Sequence, residues 1–265
     1  MKIVYLLFLG MILGLSSCMW GDTKKPKPAI TTDTLTYSYH IIKQKAADCG
    51  TKPDNGCTVV KIKYPFFFKD GLLNDTLKHK LLNLFALNDK DTSLNQLTSN
   101  FIKAYDKNKS LDDRKLFYTL DMNASIVRQD SSLTTLVISG YSFEGGAHGG
   151  SEIVFINWNT KANKNISLDD ILIDGYNLKL NTIAEEIFRK QEKLGPTASL
   201  ANDYFFKDDK FALNQNFSVT PLGLRFIYNQ YEIKPYAAGQ TELLIPYAKI
   251  KSLLRPNTVV RQYIK

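Results

Sequence analysis

The chain has 265 residues, of which 44% are hydrophobic and 12% aromatic, and a formal net charge of +8. This composition is typical of a globular protein and excludes an intrinsically disordered chain. The length allows one large domain or two smaller ones, each with its own hydrophobic core.

The N-terminus predicts export and lipid attachment. Lys2 precedes an apolar run over residues 3–15, which is shorter than a typical membrane span and fits the apolar core of a secretory signal. The run ends at Leu15-Ser16-Ser17-Cys18, a quartet similar to the lipobox of bacterial lipoproteins, in which the cysteine becomes the lipidated first residue. We therefore predict a lipoprotein signal peptide over residues 1–17, lipidation at Cys18, and an exported chain anchored by lipid to a cell-envelope membrane.

The predicted export limits the partners that the positive charge could attract. The acidic and basic residues are interspersed, apart from the run KKPKP at residues 24–28. An exported protein does not usually meet nucleic acid, so no nucleic-acid partner is predicted. The expected neighbours are anionic lipid headgroups and cell-wall polymers.

The other two cysteines, Cys49 and Cys57, predict a disulfide, because an oxidising compartment favours pairing of two cysteines that are close in sequence. The loop between them holds Pro53 and the turn-forming residues Asp54, Asn55 and Gly56. A metal site would need further ligands nearby, so neither a metal nor a cofactor is predicted.

The remaining elements follow in chain order. Residues 18–33 are polar, contain proline and predict a tether. Hydrophobic periodicity then predicts two strands and two amphipathic helices, at 35–42, 58–67, 71–87 and 92–107. Alternating apolar and mostly polar residues predict a half-buried strand at 115–130, and two more strands are predicted at 133–143 and 152–159.

The C-terminal third is also mixed. Ser167 with Asp170 predicts a capping box, followed by a helix through Phe188 that stops at Gly195-Pro196. A shorter helix at 198–206, further strands and a last helix complete the chain. The predicted fold class is α+β, with antiparallel sheets and packed helices in two subdomains, a smaller one at 34–110 and a second at 111–265.

The loop in YSFEGGAHGG, residues 141–150, is the strongest candidate for a site. It lacks the second glycine of a nucleophile elbow, because Glu144 stands there, and it lacks the lysine of a phosphate loop. Three interpretations stay open. The glycines adopt positive φ and His148 only holds the loop; or backbone amides and His148 dock a partner or glycan; or the loop is catalytic.

Three motifs in this order carry a family resemblance: Gly145-Gly146-Ala147-His148-Gly149, Ser167-Leu168-Asp169-Asp170 and Pro235-Tyr236-Ala237-Ala238-Gly239. The region around them, about residues 130–255, resembles a bacterial envelope domain of undetermined function. That domain occurs in the extracellular region of anti-sigma factors that sense lysozyme, and in the accessory region of cell-wall polysaccharide deacetylases. Residues 35–110 resemble, more weakly, the smaller domain that usually precedes it.

The resemblance implies a binding module. The chain has neither the cytoplasmic segment and membrane span of an anti-sigma factor nor the close histidine pair of a deacetylase domain. The ligands that the resemblance implies are lysozyme or cell-wall glycan, including peptidoglycan fragments. Its implied binding residues are those of the two loops: Glu144, Gly145, Gly146, His148, Pro235 and Tyr236.

We therefore predict a lipid-anchored envelope binding module with no catalytic residues. The alternative is a hydrolase or deacetylase-like enzyme that acts on cell-wall glycan through Glu144 and His148. One physical argument opposes lysozyme as the ligand: two positively charged proteins repel each other unless the binder carries a local acidic patch.

Overall fold

The computed structural model describes residues 35–85, 87, 90–110 and 116–264. The predicted signal peptide and Cys18 lie outside these residues, as does the tether. Six strands form the larger sheet in their order along the chain. They are β1 (Tyr37–Lys45), β2 (Val59–Phe67), β3 (Thr119–Gln129), β4 (Leu133–Phe143), β5 (Gly150–Asn159) and β6 (Lys164–Asn165).

Five α-helices and a second sheet complete the described fold. The helices are α1 (Gly71–Leu82), α2 (Leu94–Asn108), α3 (Leu168–Ile171), α4 (Asn177–Gln191) and α5 (Tyr247–Ile250). The second sheet is antiparallel, and its strands are β7 (Phe217–Val219), β8 (Gly223–Tyr228) and β9 (Thr241–Pro246). No helix among the described residues is both long and apolar enough to span a membrane.

The predicted α+β class is confirmed, with one parallel strand pair inside it. Each neighbouring pair of the larger sheet is antiparallel except β2 and β3, which run parallel. Parallel neighbours need a long crossover connection, and here the connection contains α1 and α2. The predicted division into residues 34–110 and 111–265 stays a prediction; β2 and β3 pair across it.

Two clusters of buried side chains form the core. One lies around α1, α2 and the larger sheet and includes Leu77, Phe101 and Trp158. The other lies around α4 and the smaller sheet and includes Phe188 and Phe226. The Cys49–Cys57 disulfide is present, as predicted, and both cysteines are buried in the first cluster.

Two helix predictions near the C-terminus are wrong. The capping box of Ser167 and Asp170 is present, but its helix ends after one turn, at Ile171. Gly175 then adopts φ +76°, a left-handed conformation that interrupts a helix, and α4 starts only at Asn177. The helix predicted at 198–206 is replaced by irregular turns.

The strand register defines two ends of the larger sheet. At one end Tyr37 pairs with Phe67, and Gln129 at the end of β3 donates a hydrogen bond of 3.0 Å to the carbonyl of Leu35. We call this the Leu35 end. At the other end Thr119 pairs with Phe143, directly before the glycine loop. Because β4 runs from Leu133 to Phe143 at about 3.3 Å per residue, the two ends lie about 30 Å apart.

Candidate functional site

The glycine loop connects β4 to β5 as a hairpin, closed by the pair Ser142 and Gly150. Gly145 and Gly146 have φ of +91° and +94°, a region that side chains disfavour. A Cβ atom on Gly149 would lie 2.4 Å from Cζ of Tyr141 and 2.5 Å from the carbonyl oxygen of Ser142. Backbone conformation explains the first two glycines, and close packing explains the third.

His148 extends from this loop toward the connection between β8 and β9. Its Nδ1 lies 3.2 Å from the carbonyl oxygen of Gly149, and its Nε2 lies 3.2 Å from the hydroxyl oxygen of Tyr231. Because a carbonyl only accepts, Nδ1 carries the proton of the neutral ring and Nε2 accepts from the tyrosine hydroxyl. The two hydrogen bonds therefore fix the tautomer of His148.

Three aromatic rings meet here, and we call them the His148 cluster: His148, Tyr231 and Tyr236. The ring centroids of His148 and Tyr236 lie 3.8 Å apart with 17° between the planes. The ring of Tyr231 lies 6.1 Å from that of His148 and 5.6 Å from that of Tyr236. Tyr231 is 55% exposed, so the cluster presents aromatic surface to solvent.

Side-chain amides hold the two loops together along the open edge of β5. Asn229 accepts from the backbone N–H of Ile153 at 2.8 Å and donates to its carbonyl at 3.0 Å. Gln230 accepts from the N–H of Ser151 at 3.0 Å. These contacts satisfy backbone groups that an edge strand would otherwise leave unpaired, and they place Tyr231 beside His148.

The surroundings of the cluster are acidic. Glu144 and Glu152 flank the glycine loop, and Glu232 follows Tyr231. Segments 144–152 and 229–240 together hold these three acids and one base, Lys234, which pairs with Glu192 at 3.0 Å. With three acids and one base, the formal charge of the two segments is −2, in a chain of +8.

Two of these carboxyl groups have a raised pKa. Burial, together with repulsion from Glu232, raises the pKa of Glu152 to about 7. Burial also raises the pKa of Glu144. Glu232 accepts hydrogen bonds from the backbone N–H of Asn229 at 2.8 Å and from the side chain of Asn214 at 2.7 Å. Its carboxylate therefore stays in a fixed position beside Glu152.

The structure brings together two loops that lie far apart in sequence. His148 of the first loop stacks on Tyr236 of the second, directly after Pro235. Sequence reasoning did not propose Tyr231, Glu152 or Glu232. No local spacing connects them to His148, because Tyr231 lies 83 residues away from it. Among the described residues, no group of three or more His, Cys, Asp or Glu side chains could hold a metal ion.

Comparisons with known families agree with the motif resemblance. Residues 169–248 match the family described as a protein of unknown function, DUF3298, and residues 51–151 match the family described as deacetylase PdaC. The resemblance to a bacterial envelope domain family of unknown function is thereby confirmed. No curated protein shows significant similarity to the chain.

Two crystal structures share the fold. One is a DUF3298 family protein from Pseudomonas aeruginosa, 22% identical, which covers 84% of this chain and 95% of its own, with a TM-score of 0.67. The other is a DUF3298 family member from Bacteroides fragilis, also 22% identical, which covers 87% of this chain and 97% of its own, with a TM-score of 0.67. At this identity the similarity establishes the fold alone.

Proposed function

We propose that the chain is a lipid-anchored cell-envelope module that binds a cationic protein of the c-type lysozyme class through the His148 cluster and its acidic surroundings. The observation that carries this proposal is the stacking of His148 on Tyr236, in two loops that hold the carboxyl groups of Glu144, Glu152 and Glu232. Tyrosines provide large contact area at low conformational-entropy cost, and carboxylates attract and orient basic side chains.

The local charge supports lysozyme despite the basic character of the whole chain. Long-range repulsion between two positively charged proteins is screened beyond about 8 Å at physiological ionic strength. The carboxylates of Glu144 and Glu232 act within that range, and Glu152, with its pKa raised to about 7, adds its charge in the molecules in which it is ionised. A partner's lysine or arginine that docks on the exposed face of Tyr231 gains both an aromatic contact and nearby carboxylates.

The position of the cluster also favours binding. The glycine loop lies at the end of the larger sheet opposite to Leu35, and Leu35 is joined through residues 19–34 to Cys18, the predicted lipid attachment site. An anchor at Cys18 therefore attaches to the end of the sheet that is about 30 Å from the cluster. This arrangement leaves the cluster free to meet a large soluble partner.

A cell-wall glycan is the second candidate ligand, favoured by the exposed aromatic rings of the cluster. The enzymatic alternative, through Glu144 and His148, has weaker support. Both nitrogens of His148 are engaged, by Gly149 and by Tyr231, and neither bond involves a carboxylate. A histidine that acts as a general base presents one nitrogen to the substrate, and here Nε2 of His148 bonds to the hydroxyl of Tyr231.

Calorimetric titration tests the proposal. The chain from residue 18, with Cys18→Ser to prevent acylation, is titrated with a c-type lysozyme and, separately, with soluble peptidoglycan fragments. We expect lysozyme to bind with micromolar or tighter affinity, and His148→Ala and Tyr236→Ala each to weaken it by about tenfold or more. His40→Ala is the matched control, because His40 also stacks on an aromatic ring, that of Phe66 at 4.9 Å, away from the glycine loop.

The outcomes separate the candidates. Binding of peptidoglycan fragments without lysozyme binding, lost in the same two variants, would replace lysozyme by glycan as the ligand. Equal loss in His40→Ala would show that the cluster has no special role. Absence of binding to both ligands would refute the proposal.

A further inference from the structure

A second surface feature lies at the Leu35 end. Phe66, Phe68 and Leu72 are 38%, 59% and 57% exposed, and we call them the Phe68 patch. The rings of Phe66 and Phe68 meet edge to face, with centroids 6.3 Å apart. The N–H of Phe68 donates to the carbonyl of Thr36 at 3.1 Å, so the patch adjoins the point at which the described chain begins.

The local backbone forces these side chains outward. Phe67, between the two exposed phenylalanines, is 1% exposed and belongs to the core, and successive residues of a strand point to opposite faces. Asp70 then turns the chain into α1 by capping it. Exposed apolar side chains that touch one another, as Phe66 and Phe68 do, form the kind of surface that protein and membrane contact sites use.

The segment before Leu35 indicates that the patch contacts a membrane. Residues 19–34 separate Cys18 from Leu35, and a segment of sixteen residues spans at most about 55 Å. It contains three lysines, Lys24, Lys25 and Lys27, while the exposed Lys69 follows Phe68 directly. Lysines beside exposed aromatic residues complement a bilayer surface that carries anionic headgroups.

We propose that the Phe68 patch inserts into the interface of the anchoring membrane, with Lys69 at the headgroups. This inference rests on the lipid anchor in the proposed function. The contact keeps the Leu35 end of the larger sheet at the bilayer, and the His148 cluster lies about 30 Å from that end along the strands. The contact thereby gives the binding surface a defined orientation.

Fluorescence quenching by brominated lipid tests the contact. The chain from residue 18 is coupled through Cys18 to a maleimide lipid in nanodiscs of phosphatidylethanolamine and phosphatidylglycerol; Cys49 and Cys57 are joined in the disulfide. All variants carry Trp20→Phe, so that the buried Trp158 gives the only background emission. In this background Phe68→Trp reports on the patch, and Tyr231→Trp reports on the opposite end of the sheet. We expect brominated lipid to remove about half of the added emission of Phe68→Trp, since an interfacial group lies about 5–10 Å deep, and to leave that of Tyr231→Trp unchanged.

Two results would overturn the inference: unquenched emission from Phe68→Trp, or quenching of Tyr231→Trp to the same extent. Because the lipid is coupled chemically, the test does not depend on acylation in cells. The intact mass of the exported protein tests acylation of Cys18 separately, so failure of the anchor and failure of the patch are distinguished.

Discussion

The indole nitrogen of Trp158 donates a hydrogen bond of 2.8 Å to one carboxylate oxygen of Asp70, while the other oxygen accepts from the backbone N–H of Leu73 at 2.9 Å. Asp70 is 5% exposed. One buried carboxylate thus caps α1 and ties it to β5, 88 residues away along the chain.

Asp70→Ala is expected to destabilise the fold by about 2–4 kcal/mol. Loss of the cap costs about 1 kcal/mol, and the buried indole N–H left without a partner costs about 1–3 kcal/mol more. Urea unfolding gives the change. The control is Ser93→Ala, which removes the cap of α2, where Ser93 accepts from Gln96. If both variants lose the same stability, the bond to Trp158 contributes nothing.

The glycine loop allows a matched pair of substitutions. Gly149→Ala places a methyl group within 2.5 Å of Tyr141 and of the Ser142 carbonyl, so we expect a loss of about 1–3 kcal/mol and displacement of His148 from Tyr236. Gly150→Ala meets nothing within 4 Å and should change stability by less than about 0.5 kcal/mol. The NMR shifts of the His148 ring, which depend on its stacking, should move only in the first variant. Unchanged shifts in both would contradict the packing argument.

The sequence predicts local structure well because local structure depends on local patterns. Alternation of apolar and mostly polar residues over 116–126 predicts β3, which spans Thr119–Gln129, and Ser167 with Asp170 gives the capping box. The parallel pair of β2 and β3 escaped prediction, since strand direction depends on how the intervening helices cross the sheet. The early end of the helix after Ser167 was also not predicted. The apolar pattern continues past Ile171, but the positive φ of Gly175 interrupts the helix.

The candidate site was predicted only in part, for a similar reason. Glycine-rich loops and a Pro-Tyr loop are visible in sequence, and the resemblance named both. The pairing of His148 with Tyr231 depends on Asn229 and Gln230, which bind the edge of β5. Long-range side-chain contacts of this kind leave no periodic signal, so Glu152 and Glu232 could be recognised only once the fold was known.

The hydroxyl of Tyr231 positions His148, which gives a prediction about binding. Tyr231→Phe keeps the ring and removes the donor to Nε2 of His148. We expect lysozyme affinity to fall by about threefold to tenfold, the worth of one hydrogen bond, with stability unchanged within about 0.5 kcal/mol. Tyr37→Phe, at the Leu35 end of the sheet, serves as the control. Equal affinity of the two variants in calorimetry would show that this hydroxyl does not orient the imidazole.

Glu152 should make stability depend on pH in a defined direction. Burial and repulsion from Glu232 raise its pKa from 4.5 in the unfolded chain to about 7 in the fold, so the folded state holds the proton more tightly. Stability from this group is therefore fully present below pH 4.5 and is lost as pH rises through about 7. The side chain in Glu152→Gln cannot ionise, so this variant should be more stable than the natural chain at pH 8. Because solvent screens a partly exposed group, we expect a gain in the free energy of unfolding of about 1–2 kcal/mol. At pH 4 the two chains should be equally stable. Urea unfolding across this range checks the difference, with Glu186→Gln on the exposed side of α4 as control, and a gain that is constant with pH would rule out ionisation of Glu152 as its cause.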